Sequence, residues 1–172
     1  MKNWGKNIIA LAIGLLIGLL VLEIFFRIFP NRYSGCGPQF KNRYDELVGW
    51  WNVENQKGVG YITPCFQVCG INTNSWGMRD DKERRIERIE GVCRIAILGD
   101  SFMQAVHVEN DKHFSAILEG ILGDKVEVLN FGMGGFGTTQ EYLTYVHKAR
   151  LFKPDIVILA FFLGNDVMDN SR

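Results

Sequence analysis

Three short, mostly apolar runs stand out in the second half of the chain. They cover residues 94–98, 126–129 and 156–162, and each is rich in β-branched residues. Glycine and small polar residues close each run. Runs of this length and character are typical of strands that are buried on both faces of a parallel sheet. The pattern therefore predicts three parallel strands.

Helical periodicity fills the two gaps between these runs. Ahead of Gly123, apolar residues recur at the spacing of one helix face: Phe114, Ile117, Leu118, Ile121 and Leu122. Thr138 and Glu141 have the spacing of a capping box at the start of a second helix, and Pro154 prevents that helix from reaching the third run. Because strand–helix–strand crossovers are right-handed, the expected spatial order of the strands is 2-1-3.

A long apolar segment occupies the N-terminus. Residues 8–22 carry no charge, and the apolar character continues past Glu23 and Arg27. No small-x-small cleavage site follows, so the segment indicates an uncleaved transmembrane helix, with a cleaved signal peptide as the alternative. Lys2 and Lys6 precede it. The N-terminus is therefore expected in the cytoplasm and the rest of the chain outside it, in the periplasm or at the cell surface.

The stretch between this anchor and the first strand is punctuated by glycine and proline and carries several aromatic residues. It predicts a mostly irregular extension that packs on the following domain, with a short hairpin over residues 61–71. The expected organisation is an anchor over 1–30, the extension over 31–91 and an α/β domain over 92–172. Mixed charges at residues 80–90 are typical of a solvated connector.

Charge and composition narrow the range of partners. The chain has 172 residues, with 19 lysines and arginines and 19 aspartates and glutamates. Beyond residue 30, 16 basic and 18 acidic residues remain. The part expected outside the cytoplasm therefore lacks the basic surplus that binding to nucleic acid would require.

Four cysteines bear on the redox environment. Disulfides are permitted outside the cytoplasm, where Cys65 and Cys69 are close enough in sequence to pair and Cys36 is an alternative partner for either. Cys93 begins the first strand and is expected to be a small buried core residue. No histidine lies near the first three cysteines, so the sequence predicts no zinc site there. No other metal and no cofactor is expected.

Residues that carry chemistry follow all three predicted strands. Gly99-Asp100-Ser101 follows the first, Asn-Phe-Gly-Met-Gly-Gly at residues 130–135 follows the second, and Gly164-Asn165-Asp166 follows the third. The carboxyl ends of parallel strands meet at one edge of the sheet, where ligands bind. A serine, a glycine-rich turn and an asparagine at that edge supply a nucleophile and hydrogen-bond donors for an oxyanion, which acyl transfer needs.

The three blocks, in this order, resemble the SGNH (GDSL-type) hydrolase family over residues 91–169. Asn-Ser-x-Gly-x-Arg-Asp at residues 74–80 resembles a segment of its membrane-anchored, exported members. The resemblance implies a flavodoxin-like three-layer α/β/α parallel sheet, C-terminally incomplete here. It also implies a serine esterase or acyl hydrolase that acts on small-molecule or glycan esters, with carbohydrate O-acyl groups as one class. Its site residues would be Ser101 as nucleophile, with Gly135 and Asn165 in the oxyanion hole.

Two positions depart from the family pattern, and one motif has no match. Phe102 stands where the family has leucine, and Gly164 is displaced by one position. The family's general base belongs to an Asp-x-x-His motif, and no aspartate lies three residues before any histidine of this chain. The chain is therefore expected to be the N-terminal portion of such an enzyme. The alternative is a non-catalytic, membrane-anchored binding or envelope-assembly protein on the same fold; no oligomeric state is predicted.

The three histidines of the chain are not expected to act as the base. His107 and His113 are expected to be surface or capping residues, and His147 is expected to face solvent.

A dinucleotide site is a third and less favoured interpretation. Gly132, Gly134 and Gly137 match G-x-G-x-x-G between a strand and a helix. The acidic residue that would bind the ribose is expected about twenty positions further on, but the next strand ends later, at Gly164. The same glycines can instead allow tight packing of strand and helix.

Overall fold

The computed structural model describes residues 4–28, 37–63 and 67–170. The chain forms two compact units, Met1–Gly35 and Cys36–Arg172. Helix α1 (Trp4–Ile28) is the described part of the first unit. It is 25 residues long, about 38 Å at the α-helical rise, and apolar enough to cross a membrane. Glu23 and Arg27 form an ion pair one turn apart, at 2.8 Å.

Two β-hairpins open the second unit. Strands β1 (Asn42–Asp45) and β2 (Gly49–Asn52) pair antiparallel, as do β3 (Val59–Ile62) and β4 (Gln67–Ile71). The second hairpin was predicted and is confirmed. The first replaces what was expected to be irregular chain, because Trp51 in β2 is buried in the main hydrophobic core and holds that strand in place.

A three-stranded parallel sheet follows. It consists of β5 (Cys93–Gly99), β6 (Val126–Asn130) and β7 (Ile156–Ala160), in the spatial order β6-β5-β7. The predicted strands and their 2-1-3 order are therefore confirmed, and the chain is a mixed α/β protein. In the register of the sheet, Ile95 lies opposite Val128 on one side and Ile156 on the other.

Four helices connect and extend the strands. They are α2 (Ser101–Gln104), α3 (Phe114–Leu122), α4 (Thr138–His147) and α5 (Asp166–Asp169), and single 3₁₀ turns cover Asn110–Lys112 and Ala149–Phe152. Helix α3 ends as predicted at Gly123, whose φ of +80° requires glycine. The capping box predicted for α4 is wrong. Gly137 is its N-cap, and the N–H of Gly137 donates to the side-chain oxygen of Gln140.

The central strand β5 is covered on both faces. Ile95 and Ile97 pack with Val128 and with two side chains of α3, Phe114 and Leu118. On the other face, Ala96 and Leu98 of β5 belong to a larger hydrophobic cluster. This cluster also contains Trp51 and Met78 from the segment before the sheet, and Phe152 from the turn after α4. The segment before the sheet therefore supplies part of the sheet's own core.

Helix α3 and the charged connector differ from expectation. Ile117, Ile121 and Leu122 are exposed, whereas Glu119 on the same helix is buried. Glu119 pairs with Lys82 at 2.5 Å and with Arg84 at 2.9 Å, and Arg84 is itself buried. The prediction of a solvated connector is wrong at Arg84, because this side chain forms an ion pair with the buried Glu119 of α3.

The cysteines agree only in part with the predictions. Cys69 is disulfide-bonded. Its two candidate partners, Cys36 and Cys65, lie outside the described residues, so the predicted pairing stays a prediction. Cys93 is a free thiol and is half-buried rather than fully buried, because it lies at the first position of β5.

Candidate functional site

Ser101 lies at the carboxyl end of the central strand. It is the first residue of α2 and its side chain is exposed. Asp100 caps this helix, because its Oδ1 accepts a hydrogen bond of 2.9 Å from the N–H of Phe102. Neither the hydroxyl nor the N–H of Ser101 has a hydrogen-bond partner among residues 4–28, 37–63 and 67–170. A free nucleophile and a free donor therefore come from the same residue.

Helix α2 lies directly against the ends of β5 and β6, and glycine makes this approach possible. A β-carbon added at Gly132 would lie 2.6 Å from the backbone nitrogen of Gln104, and one added at Gly99 would overlap the side chain of Met103. The glycine of Gly99-Asp100-Ser101 is therefore required by packing. Gly132 has the same role in the second block.

The glycine-rich turn after β6 lies beside Ser101. A β-carbon added at Gly134 would be 3.7 Å from the β-carbon of Ser101. The N–H of Gly134 donates to the side-chain oxygen of Gln104 at 3.1 Å, and the indole N–H of Trp50 donates to the Gly134 carbonyl at 3.0 Å. Gly135 adopts a φ of +80°, and its N–H has no partner in the described ranges. The turn is thus fixed at Gly134 and leaves the next N–H free.

The third turn reaches the same region. Asn165 is the N-cap residue of α5. Its side-chain nitrogen donates to Asp169 at 3.1 Å, while its side-chain oxygen has no hydrogen bond within the described part of the chain. The rings of Phe102 and Phe162 lie 4.6 Å apart between centroids, which brings this turn against the Ser101 turn. The structure therefore brings the three turns together, with the Asn165 amide engaged by its own helix.

A chain of side chains from residues 37–91 supports α2, and the pattern of the sequence did not reveal it. Gln104 donates to the side chain of Asn52 at 2.7 Å. Arg79 is buried and donates hydrogen bonds around the end of α2. Its acceptors are the backbone carbonyls of Gln104, Ala105 and Val108 and the side-chain oxygen of Asn110. Burial lowers the pKa of Arg79 to about 10. The segment at residues 74–80 therefore holds α2 in place.

None of the three histidines is bonded to Ser101 in the part of the chain that the structure describes. His113 is buried, and its side chain accepts from the N–H of Ser115 as the N-cap of α3. The predicted capping role is therefore confirmed and a surface position is excluded. Burial and the charge of Arg79 lower the pKa of His113 to about 4. His147 is exposed at the far end of α4, as predicted.

Three buried carboxyl groups interact electrostatically at these turns and on α4, and they are called the acid cluster: Asp100, Glu141 and Asp166. Glu141 was expected to cap α4, but it is 1 % exposed. No donor in residues 4–28, 37–63 or 67–170 bonds to either Glu141 oxygen, to Oδ2 of Asp100 or to Oδ1 of Asp166. Burial, together with the charges of Asp166 and Asp100, raises the pKa of Glu141 to about 7.

Comparison with known proteins gives no family for this chain. No protein-family model matches it, and no curated protein matches it either. Across the described residues, no group of three or more His, Cys, Asp and Glu side chains is arranged to hold a metal ion.

Proposed function

We propose that this chain carries the nucleophile and the oxyanion hole of an SGNH-type serine ester hydrolase with a flavodoxin-like sheet. In this proposal α1 anchors the chain in a membrane and places the catalytic domain outside the cytoplasm. The substrate is a small-molecule or glycan ester, and the reaction requires no cofactor.

The hydroxyl of Ser101 attacks the ester carbonyl, and the developing oxyanion accepts from the N–H groups of Ser101 and Gly135. Asn165 supplies the third donor. Its side-chain nitrogen is bonded to Asp169, so the amide rotates away from that carboxylate when substrate binds. A general base takes the proton of the Ser101 hydroxyl and gives it to the leaving alcohol, and water then hydrolyses the acyl group to the free acid and restores the Ser101 hydroxyl.

The observation that carries the proposal is a pair of N–H groups, those of Ser101 and Gly135, that bond to no described residue and lie beside the exposed Ser101 hydroxyl. Neighbouring polar groups on the same turns are bonded, including the N–H of Gly134 and the N–H of Phe102. Donors that stay free in an otherwise bonded turn are available to a ligand oxygen.

A non-catalytic binding or envelope-assembly protein is the second candidate. It is favoured by the absence of a hydrogen bond between Ser101 and any histidine in the described ranges, since Ser101 needs a base to lose its proton. A dinucleotide site is less favoured, because Gly132 packs against α2 and Gly137 against the backbone near Asn170. Retention of NAD at one equivalent on purification would restore that interpretation.

Labelling with a serine-reactive fluorophosphonate tests the proposal on the full natural polypeptide. We expect the label on Ser101, its loss in Ser101→Ala, and unchanged labelling in Ser75→Ala, which removes another exposed serine. Equal labelling of Ser101→Ala and the unchanged protein would contradict the nucleophile. An unlabelled protein that still binds an ester ligand would favour the binding protein instead.

A further inference from the structure

The acid cluster joins three elements that carry the proposed site. Asp100 lies between β5 and α2, Asp166 opens α5, and Glu141 lies in the first turns of α4. Asp100 and Glu141 are 1 % exposed and Asp166 is fully buried. Carboxyl groups are almost never buried this deeply without a partner, because burial without a donor costs free energy. The cluster therefore needs a physical explanation.

Two of the three carboxyl groups have an evident structural role as acceptors. Asp100 accepts from the N–H of Phe102 at 2.9 Å, and Asp166 accepts from the N–H of Phe162 at 2.6 Å. These bonds shape the turn that carries Ser101 and the turn that leads to Asn165. Glu141 accepts no hydrogen bond from the described residues. Its role is therefore different from that of the two aspartates.

The charges that act on Glu141 are negative: those of Asp166 and Asp100, and Asp169 acts in turn on Asp166. Two further elements that pack on α4 carry an arginine each. Arg94 of β5 pairs with Glu127 at 2.6 Å, Arg150 of the turn Ala149–Phe152 is exposed, and neither acts on Glu141. Three ionised carboxylates without a cation repel one another strongly in a buried setting. A neutral Glu141 removes most of this repulsion and adds an O–H donor beside two carboxylates.

We propose that Glu141 is a positioning residue whose neutral carboxyl group lets the Ser101 turn and the Asn165 turn pack together, and whose ionisation drives them apart. The statement about catalysis rests on the proposed function, and the statement about the two turns does not. With a pKa of about 7, Glu141 is neutral in mildly acidic solution and charged in mildly alkaline solution. The site is therefore expected to work below about pH 7 and to loosen above it.

Hydrogen exchange of the full chain tests the two turns directly. Glu141→Gln keeps a donor and cannot ionise, so the two proteins should exchange alike at pH 6. At pH 8 the amides of Phe102 and Phe162 should exchange faster in the unchanged protein than in Glu141→Gln. The exposed Glu46→Gln, which makes the same change of charge, should match the unchanged protein at both pH values. Equal exchange of Glu141→Gln and the unchanged protein at pH 8 would overturn the proposal.

The rate of fluorophosphonate labelling at Ser101 tests the link to catalysis. A carboxyl group with a pKa of about 7 stays protonated in only about one molecule in eleven at pH 8. The labelling rate of Glu141→Gln relative to the unchanged protein should therefore rise up to about tenfold from pH 6 to pH 8. A constant ratio would overturn the catalytic part. If hydrogen exchange changes as expected but Ser101 is labelled in none of these proteins, the positioning role of Glu141 is retained and the proposed ester hydrolase activity is refuted.

Asp166→Asn provides a second test if Glu141→Gln does not fold. The amide oxygen can still accept from the N–H of Phe162, while one of the charges that repel Glu141 is removed. We expect the increase in exchange at Phe102 between pH 6 and pH 8 to become smaller than in the unchanged protein. An increase of the same size would overturn the proposal.

Discussion

At the scale of single residues, the strand-end turns separate supporting side chains from free groups. Gln104 and Asn52 use their amide groups to bond to each other and to the neighbouring backbone. Ser101 and Gly135 instead keep N–H groups that bond to no described residue, at the same edge of the sheet. The first pair holds the geometry, and the second pair is available to the proposed substrate. Substitutions in the two groups should therefore have different consequences.

Replacing Asn165 with alanine should lower kcat about 10²- to 10³-fold, the usual effect of losing one oxyanion donor. KM should change little, because the donor acts mainly in the transition state. Steady-state kinetics with a short-chain aryl ester will measure both. Asp169→Asn is the matched control, since it weakens the bond to Asn165 without removing the amide. A large rise in KM with unchanged kcat in Asn165→Ala would contradict the oxyanion role.

His113 should make the protein less stable in acid. The unfolded chain binds a proton near pH 6.5, whereas the folded protein holds His113 neutral down to about pH 4. The free energy of unfolding should therefore fall by up to about 3 kcal/mol as pH drops through this range. Denaturant unfolding of the protein and of His113→Asn should give a difference that shrinks from pH 7 to pH 4.5. A constant difference would show that His113 does not titrate in this range.

Sequence patterns reveal the proposed site residues more readily than the residues that support them. Ser101, Gly135 and Asn165 follow strands whose apolar runs are visible, so their place at one edge could be predicted. Gln104 and Asn52 are 52 positions apart, and neither belongs to a periodic pattern. Glu141 had the spacing of a capping residue, but Gln140 took that role and Glu141 turned inward. Which of two neighbouring polar residues is buried depends on contacts from distant segments.

At the scale of elements, the sheet combines a helix packed closely against its strand ends with an exposed edge strand. Helix α2 fits against the strand ends only because Gly99 and Gly132 lack side chains. Strand β7 is an edge strand, and its residues from Ile156 to Leu159 are between 41 % and 48 % exposed. The same sheet therefore has one tightly closed region and one open one.

Replacing Gly132 with alanine should destabilise the protein by about 3 kcal/mol, because the added carbon meets the backbone of α2. Gly120→Ala is the matched control. It lies in α3 with no atom within 4 Å of the added carbon, and should stabilise the helix by roughly 1 kcal/mol. Thermal and denaturant unfolding will compare the two variants. Equal stability of Gly132→Ala and the unchanged protein would contradict the packing described for α2.

Replacing Ile158 with lysine should reduce self-association of a polypeptide of these 172 residues. A charge on an exposed edge strand opposes pairing with another chain, while Ile158 is not needed to fill the core. Ile97→Lys places the same charge in the buried central strand and should prevent folding. Light scattering and circular dichroism in detergent will separate the outcomes. Loss of structure in Ile158→Lys would show that β7 is covered.

The strands of the sheet were predictable, and the packing around them was not. Apolar runs identify β5, β6 and β7 because such runs mark the strands of a parallel sheet, even though β7 lies at an edge and stays partly exposed. The hairpin of β1 and β2 escaped prediction, since its burial comes from Trp51 entering a core made elsewhere in the chain. The apolar stripe of α3 predicted a buried face, but Ile117 and Ile121 are exposed and the acidic Glu119 is buried.

At the scale of the whole molecule, the chain divides into two units. The unit Met1–Gly35 contains the apolar helix α1, and the unit Cys36–Arg172 contains the α/β fold. The length and composition of α1 were evident from the sequence, because a membrane span depends on the segment itself and not on distant contacts. Its orientation depends on the flanking lysines and stays a prediction.

Replacing Leu16 with arginine should impair membrane insertion by about 3 kcal/mol, because the charge would lie near the bilayer centre. Leu16→Phe keeps the segment apolar and should insert normally. A reporter enzyme that is active only outside the cytoplasm, fused after residue 172, will measure insertion and orientation together. An inactive reporter on the unchanged chain, with the fusion intact, would contradict the expected orientation.

The bond between the Trp50 indole and the Gly134 carbonyl has a consequence for biosynthesis. The two residues are 84 positions apart, and a ribosome adds about 5–20 residues per second, so Trp50 emerges roughly 4–17 s before its partner. Arg79 likewise precedes the carbonyls that it binds. The nascent chain therefore makes Trp50 and Arg79 before the backbone that each of them binds, and both lack these partners until it is made. During this interval the unpaired indole belongs to the exposed apolar surface that chaperones protect.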